Sequence, residues 1–401
     1  MQMPHIAVAS PVAGAYEVRL HPTTDSLDAA AWDGLLAQQP QPTPFLRHAY
    51  LAALQASGSA TPATGWTAVY FTLWQTTELC AACVLYLKTH SYGEYVFDWA
   101  WAQAYERHGL PYYPKGVLAV PFTPVPGTRL LAREPAARTA LLQAVMDWAQ
   151  QAGLSSLHLL FAADEDLQAA HQAGWMLRHT VQFHWHNQHP ERQGRYEDFD
   201  DFLRCLSQDK RKKIRQERRR VQQAGITFRV LHGEQIQAAD WEFFYRCYER
   251  NYLEHGNRPY LTPDFFQRMA QHMPQAWVMF IALQGEQAIA ASLLGLDAAQ
   301  SSAYGRYWGA LARVDGLHFE ACYYQPIEWC IAQGLQRFEG GAQGEHKMAR
   351  ALLPQPAHSA HWLSHPAFAQ AVDDFLRREG QGVAQYLEDL RGRNPFRSNS
   401  G

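Results

Sequence analysis

The segments WAQQAGLSSLHL (148–159) and WCIAQGLQRFEG (329–340) decide the fold of this chain, because both carry the same order of signals. In each segment a tryptophan precedes a glycine by five residues, and a leucine and a short strand-like run follow the glycine. Glycine has no Cβ and therefore accepts the left-handed conformation that ends many helices. Each segment predicts a helix that ends at its glycine and a strand that follows.

The two segments lie about half the chain apart, which predicts two similar domains built by duplication rather than one long sheet. The chain has 401 residues, of which 47% are hydrophobic, and this is enough for two cores. Strand and helix signals alternate in both halves, which indicates an α/β or α+β fold. The predicted parts are an N-terminal domain at 1–190, a basic helical segment at 191–225, a C-terminal domain at 226–365, and a C-terminal helix and tail at 366–401.

Composition excludes several classes of protein. The formal net charge of −3 argues against a globally basic nucleic-acid-binding protein, so no DNA partner is expected. The N-terminus lacks a secretion signal, and no uncharged apolar run approaches the roughly 20 residues that span a bilayer, so we expect a cytoplasmic protein without a transmembrane segment. The CxxC pair Cys80 and Cys83 lies in an apolar run and is expected to be buried and structural. No metal site is predicted.

A strongly basic segment, QDKRKKIRQERRR (208–220), follows the first predicted domain. Apolar residues recur at helical spacing over 199–221, which predicts one amphipathic helix with a basic face. Glu217 is the only acidic residue within 210–220. The basic face has three interpretations: a solvated surface, a clamp for the phosphates of a nucleotide-bearing substrate, or a contact with RNA or anionic lipid.

The first half contains a proline- and tyrosine-rich stretch, PYYPKGVLAVPFTPVPGTRLL (111–131), after a strand predicted at 92–99. Here the strand GVLAVPF enters a turn that is followed by Arg129 and a helix. Free amides at such a turn can receive phosphate oxygens, with the helix dipole and Arg129 adding positive potential. The alternative is a proline-stiffened loop. Tyr113 and Lys115 are further substrate-binding candidates.

In the second half, chemically capable side chains concentrate at 304–354. The strand that opens this stretch alternates and places Tyr304, Arg306 and Trp308 on one face. An arginine between aromatic rings suits a planar or anionic group, and Arg306 and Trp308 are therefore substrate-binding candidates. The alternative is a cation–π pair on a half-buried sheet.

The helix that follows this strand carries two pairs of residues four positions apart. Glu320 and Tyr324 share one face and are substrate-binding candidates. His318 and Cys322 share another face, but a nucleophile and its base usually come from different elements. We therefore expect His318 and Cys322 to be core residues rather than a catalytic dyad.

The loop EGGAQGEHK (339–347) is the sharpest local signal. Its glycines permit close approach of the backbone, and loops at strand ends concentrate the chemistry of α/β proteins. Glu339 or Glu345 can take a proton from an amine, while Lys347 can stabilise an oxyanion or a phosphate. A surface turn without function is the alternative. The other substrate-binding candidates in the loop are Gly340, Gly341, Gln343 and His346.

Five blocks carry a family resemblance over about 90–390: PYYPKGVLAVPFTPVPGTRLL, QDKRKKIRQERRR, YGRYWGA, LHFEACYYQPIEW and RFEGGAQGEHKMAR. They resemble the predicted N-acyltransferases of the GNAT superfamily that are related to the Fem-type peptidyltransferases of peptidoglycan assembly. The resemblance implies tandem GNAT-like domains, each a mixed twisted sheet flanked by helices, with a cleft between them. It also implies an acyltransferase that passes an acyl or aminoacyl group to an amine acceptor, such as a muropeptide or another small molecule. Lys347 falls near the lysine that follows the GG turn in the Fem-type enzymes.

The donor co-substrate stays open between acyl-CoA and aminoacyl-tRNA, and no bound cofactor is expected. The chain lacks the acyl-CoA signature [QR]xxGx[GA] after either central strand, and it has one basic helix where some Fem-type enzymes have a long helical hairpin. Two other functions are consistent with the sequence. One is a non-catalytic module of the same fold that recognises a nucleotide- or lipid-linked cell-wall precursor, and the other is an RNA- or membrane-surface protein that uses the basic helix. The oligomeric state is not predicted.

Overall fold

The computed structural model describes residues 16–342 and 344–397. The chain divides into two compact units, the first comprising 1–180 and 357–384, and the second 181–356 and 385–401. The basic segment predicted at 191–225 therefore belongs to the second unit. Most of the predicted C-terminal helix belongs to the first unit.

Up to residue 186 the helices and strands follow in the order β1 (Glu17–His21), α1 (Ala29–Ala37), α2 (His48–Ala56), β2 (Trp66–Gln75), β3 (Glu78–Lys88), α3 (Trp99–Arg107), β4 (Lys115–Leu118), β5 (Leu131–Ala132), α4 (Pro135–Gln151), β6 (Ser156–Leu160), α5 (Asp164–Gln172) and β7 (Met176–His186). Cys80 and Cys83 lie buried in β3, in the core formed with α4, so their predicted burial is confirmed.

After residue 186 the order is α6 (Phe199–Cys205), α7 (Gln208–Gln223), β8 (Ile226–His232), α8 (Ala238–Glu254), α9 (Pro263–His272), β9 (Trp277–Gln284), β10 (Gln287–Asp297), β11 (Ser302–Ala310), α10 (Leu317–Phe319), a π-helical turn (Glu320–Tyr324), α11 (Gln325–Ala332), β12 (Arg337–Ala342), β13 (Leu353–Leu363) and α12 (Pro366–Arg391). None of the helices in the described residues combines the length and the apolar character that spanning a bilayer requires.

The two units repeat one strand order. The first unit has the order β1-β2-β3-β4-β6-β13, in which β4 and β6 are parallel and the other neighbours are antiparallel. The second unit has the order β8-β9-β10-β11-β12-β7, in which β11 and β12 are the parallel pair. The predicted fold of two like units, each with a mixed sheet flanked by helices, is confirmed.

The matched glycines lie at equivalent places in these units. Gly153 follows α4 and precedes β6, and Gly334 follows α11 and precedes β12. Both have positive φ, 68° and 67° respectively, a conformation that favours glycine. The two segments quoted at the outset therefore form the helix, stop and strand that their sequences predict.

Two local predictions are wrong. The segment 92–99 is not one of the described strands, and α3 begins at Trp99. Its side chains do alternate between buried and exposed, but the buried ones include Glu94 and Asp98, which bind a lysine instead of forming an apolar face. The single basic helix is also interrupted, because Leu206 has extended backbone (ψ 155°) and forms an isolated antiparallel bridge with Phe396.

Candidate functional site

The second unit contains a gap between two strands of its sheet. Within the described residues, β11 and β12 pair at three positions only, from Ser302–Arg337 to Tyr304–Glu339. Beyond these pairs β11 continues to Ala310 and β12 to Ala342. The two parallel strands therefore separate directly after Tyr304 and Glu339.

A cavity of about 150 Å³ lies at this gap. Both strands line it, β11 through Arg306 and Trp308 and β12 through Gly340. The following helix adds His318, whose ring lies 5.6 Å from the ring of Trp308, and Cys322. Three of the sequence-predicted substrate-binding residues thus meet in one cavity. Cys322 packs against the core, as predicted, whereas His318 is exposed where it lines the cavity, so its predicted core position is wrong.

A π-helical turn brings Cys322 and Tyr323 to this cavity. The turn covers Glu320–Tyr324, between α10 and α11, and π turns of this kind occur frequently at functional sites. Desolvation and the positive charges of nearby residues lower the pKa of His318 to about 4, so its ring is neutral at pH 7. Burial raises the pKa of Cys322 well above its usual value, so Cys322 is a thiol rather than a thiolate nucleophile.

Glu339 is a buried carboxyl in the middle of the sheet, with Tyr304 and His184 as its register neighbours on β11 and β7. Its Oε1 lies 3.2 Å from Nε of Arg337. Its Oε2 lies 3.9 Å from Nε2 of His184 and has no hydrogen-bond partner among the described residues. Burial raises the pKa of Glu339 to about 7, and the Arg337 charge offsets this only in part.

His184 was not predicted from the sequence, because strand β7 was not predicted. Burial, with added repulsion from Arg337, His186 and Lys347, lowers the pKa of His184 to about 3. Its Nε2 lies 3.2 Å from the side-chain oxygen of Gln182. A neutral imidazole gives Glu339 no compensating positive charge, which leaves the carboxyl close to half-protonated at neutral pH.

Lys347 is bound to the two glycines that follow Glu339 in β12. Its Nζ donates to the carbonyl oxygens of Gly340 at 2.6 Å and Gly341 at 3.2 Å. Burial lowers the pKa of Lys347 to about 8. A Cβ at Gly340 would lie 2.3 Å from Cδ2 of Leu352 and 3.0 Å from the carbonyl oxygen of Phe183, so the predicted close approach of the backbone occurs here.

The rest of the predicted loop is only partly described. His346 is exposed, and its Nε2 lies 3.4 Å from the hydroxyl of Tyr323, a lining residue of the cavity. Gln343 and the side chain of Glu345 lie outside the described part of the chain. Glu339 and Lys347 are therefore the catalytic candidates that can be placed.

Glu320 and Tyr324 lie in an ion-pair network with α7. Arg218 donates to Glu320 at 3.1 Å, and the Tyr324 hydroxyl donates to Glu217. Arg350, which is 2% exposed, also donates to Glu217, at 2.8 Å. These contacts explain the presence of Glu217 among the basic residues of α7. They assign Glu320 and Tyr324 to packing within the second unit.

The Glu217→Ala variant should lose about 2–3 kcal/mol of unfolding free energy, because Nη2 of the buried Arg350 and the Tyr324 hydroxyl both lose their acceptor. Urea unfolding followed by circular dichroism measures this loss. Gln216→Ala, at an exposed neighbouring position, is the control and should change stability by less than about 0.5 kcal/mol. Equal stability of the two variants would show that the network contributes nothing.

The basic face of α7 remains accessible where it is not used in this network. Arg218 also pairs with Glu328, and Arg215 pairs with Asp200. The side chains of Lys212, Lys213, Arg219 and Arg220 are exposed.

Arg129 is not an accessible anion-binding residue. It is 3% exposed, and its guanidinium donates to the carbonyl oxygens of Leu160 at 3.1 Å, Gly127 at 3.2 Å and Val125 at 2.5 Å. The backbone amide of Arg129 donates to Asp166. The donors expected to hold a phosphate instead close the turn itself, so the structure supports the proline-stiffened loop.

Lys115 is buried in the first unit, with its three N–H donors satisfied. Its Nζ donates to Ser91 at 2.7 Å, to Glu94 at 2.8 Å and to Asp98. Ser91 also contacts the hydroxyl of the half-buried Tyr113 at 2.9 Å. These distant partners could not be predicted from sequence spacing. Through them, Lys115 positions the segment that carries Ser91, Glu94 and Asp98.

The first unit also has a buried polar pair at the place equivalent to Glu339 and His184. His158 on β6 is in register with His361 on β13, and their Nδ1 atoms lie 2.8 Å apart. Burial lowers the pKa of both histidines, that of His158 to about 3. The two units thus share the position of a buried polar pair, but only the second has a carboxyl there.

Comparisons with known proteins agree with this architecture. A family model named FemAB-like and described as peptidoglycan biosynthesis/recognition matches residues 23–398. No curated protein matches the sequence significantly.

Solved structures match over most of the chain. The structure of FemX matches with a TM-score of 0.50 and 10% identity, covering 86% of this chain and 98% of its own. The structure of L-PGS from Bacillus licheniformis matches with a TM-score of 0.52 and 11% identity, covering 87% and 97%. A tandem GNAT protein from the clavulanic acid biosynthesis pathway matches with a TM-score of 0.44 and 10% identity, covering 87% and 99%. At these identities the likeness shows the fold alone.

Proposed function

Because this chain belongs to the FemAB-like family of peptidoglycan biosynthesis and recognition, we propose that it transfers an acyl or aminoacyl group onto an amine of a peptidoglycan precursor. Family and fold support a transferase that acts in cell-wall biosynthesis. The transferred group and the amine acceptor are our proposal. It rests on Glu339, a buried carboxyl with a pKa raised to about 7 at the point where β11 and β12 separate.

The proposed reaction needs a base for the acceptor. An ammonium group is not nucleophilic, so the acceptor must lose a proton before or as its nitrogen attacks the donor carbonyl carbon. A carboxylate with a pKa near 7 can take that proton at neutral pH and release it afterwards. Glu339 is assigned this role, and the proton it accepts is passed on as the leaving group departs.

A cation is needed where negative charge develops on the carbonyl oxygen. Lys347 and Arg306 are the candidates, since Lys347 is bound to the two glycines that follow Glu339 and Arg306 lines the cavity. A positively charged side chain placed in a water-poor site stabilises an oxyanion more than it would in water. The leaving group is the 3′ hydroxyl of a tRNA or the thiol of CoA, according to the donor.

The test is an assay with both donor classes. The protein is incubated with a soluble muropeptide and either aminoacyl-tRNA or acyl-CoA, and the mass of the muropeptide is measured. A mass increase equal to one acyl or aminoacyl group with either donor is the expected result. Thermal stabilisation by the muropeptide without a mass change, across a set of donors, would instead support a recognition module.

The pH dependence of this transfer should be bell-shaped. The rate should fall below about pH 7, where Glu339 becomes protonated and can no longer accept a proton, and above about pH 8, where Lys347 loses its charge. Initial rates of transfer from pH 5 to 10 measure both limbs. In Lys347→Arg the alkaline limb should move to higher pH, and an unchanged alkaline limb would remove Lys347 from the proposed role.

A further inference from the structure

We propose that an aromatic surface on the first unit, formed by Tyr92, Tyr95, Phe97 and Trp99, binds the glycan part of a carbohydrate-bearing acceptor. The inference rests on the proposed function, because it concerns the same acceptor. It adds a recognition site outside the cavity at β11 and β12, and it assigns a class of ligand to that site.

The four rings are unusually exposed. Eight large hydrophobic side chains are exposed in the described part of the chain, and four of them lie within 92–99. Tyr92 is 58% exposed, Phe97 56%, Tyr95 38% and Trp99 37%. Exposed rings concentrated in one short segment are typical of an interaction surface.

Buried charges hold this segment in place. Glu94, Val96 and Asp98 alternate with the exposed rings and point inward. Lys115 binds both carboxylates, at 2.8 Å in the case of Glu94. A binding surface whose support is fixed in this way keeps its rings in position without the hydrogen bonds of a sheet.

A second buried lysine anchors the start of the segment. Nζ of Lys88 donates to the carbonyl oxygen of Tyr92 at 3.3 Å and lies 3.6 Å from the centre of the Trp66 ring. The rings of Tyr92 and Trp99 meet edge-on, with centroids 5.0 Å apart and planes at 61°. Because the rings meet edge-on rather than stacked face to face, each ring keeps at least one face that the other does not cover.

The chemistry of the surface fits a glycan. Sugar rings present C–H groups on their faces and hydroxyl groups at their edges, and they stack on aromatic rings that have a polar atom nearby. Three of the four rings carry such an atom, the hydroxyls of Tyr92 and Tyr95 and the indole N–H of Trp99.

The same segment lacks what an anionic membrane would need. Residues 89–99 contain neither lysine nor arginine. Arg178, which donates to the carbonyl oxygen of Phe97, is neutralised by its ion pair with Glu379. Surfaces that bind anionic lipid instead combine aromatic and basic side chains. The ligand is therefore assigned as an uncharged glycan portion, held by stacking and hydrogen bonds.

The test uses an N-acetylglucosamine hexamer as the probe, with isothermal titration calorimetry of the full chain. The double variant Phe97→Ala/Trp99→Ala should bind the hexamer at least tenfold more weakly than the unmodified protein. Leu253→Ala, which removes an equally exposed side chain of the second unit, should bind it unchanged. Unfolding temperatures of all variants should agree, since the exchanged side chains are exposed.

Several results would overturn the proposal. Absence of hexamer binding by the unmodified protein would do so, as would equal binding by the double variant. Sedimentation with neutral phosphatidylcholine vesicles, lost in the double variant while hexamer binding is absent, would assign the surface to a bilayer instead.

The outcome is separable from that of the proposed function. Glu339→Gln should lose transfer and keep hexamer binding. If transfer is never detected but hexamer binding depends on Phe97 and Trp99, the glycan-binding role of the aromatic surface is supported and the proposed chemistry is wrong. If transfer is detected and the double variant binds the hexamer unchanged, only the glycan-binding role is wrong.

Discussion

The Glu339→Gln variant is expected to transfer its group two to four orders of magnitude more slowly than the unmodified protein. Glutamine keeps the shape of glutamate but cannot accept a proton, and loss of a positioned general base typically lowers rates by about 10²–10⁴-fold. The measurement is the single-turnover rate at pH 7.5 with saturating acceptor. Glu286→Gln, at an exposed hairpin position, is the matched control and should retain full activity.

The same variant should not be less stable, and this separates loss of chemistry from loss of fold. The pKa of Glu339 is raised from 4.5 in an exposed setting to about 7 in the folded chain, so folding favours the protonated carboxyl. Its contribution is therefore fully favourable below about pH 4.5 and is lost as the pH rises through 7. Removing the ionisable group should stabilise the fold at pH 8, by up to about 3 kcal/mol, and have little effect at pH 4.

Thermal unfolding at the two pH values measures this difference. A Glu339→Gln variant that is both inactive and strongly destabilised at pH 8 would contradict the assignment, because the carboxylate would then be a structural group. Full activity of the variant would remove Glu339 from the reaction altogether.

The Lys115→Met variant is expected to lose about 3–5 kcal/mol of unfolding free energy at pH 8. Methionine fills much of the volume of lysine but leaves Glu94 and Asp98 buried without their shared cation, and breaking a buried ion pair from one side has this effect. Urea unfolding measures the loss. Lys212→Met, at an exposed position of α7, should stay within about 0.5 kcal/mol of the unmodified protein.

The loss in Lys115→Met should be smaller at pH 5 than at pH 8. Burial already raises the pKa of Glu94 to about 7 against the pull of Lys115. For Asp98, burial alone would raise the pKa, but Lys115 and then His158 outweigh it and hold the pKa well below its usual range. Without Lys115 both pKa values rise, so both carboxyls are neutral and easier to bury in acid. A loss that does not depend on pH would show that lysine acts there through packing alone.

Local signals were sufficient to predict the repeated unit. Gly153 and Gly334 need positive φ, and helix ends of this kind are encoded within a few residues. Strands β7 and β13 were not predicted, and their partners lie far away in the chain. The run TVQFHWH in β7 alternates polar and apolar residues, and this was the signal that could have revealed it. His184 and His361 were missed together with these strands, since each is defined by the residue that faces it across a strand pair.

The residues of the candidate site also differ in how far the sequence could predict them. Residue type and position near a strand end suggested Glu339, its glycines and Lys347, and their role stays a prediction. The strand β12 continues to Ala342, so the loop begins later than the sequence predicted. The sequence could not predict how Arg129 or Glu320 are used, since the Arg218 that binds Glu320 is 102 residues away. A polar side chain looks available in a sequence until its distant partners are known.

The repeated strand order also has a consequence for how the protein is made. The first sheet is completed by β13, which lies near the C-terminal end of the chain, although its other five main strands lie before residue 161. During synthesis, the contact between His158 and His361 can form only after some two hundred further residues have been added. The first sheet therefore reaches its final hydrogen bonding only after β13 has left the ribosome, when most of the second unit has already been synthesised.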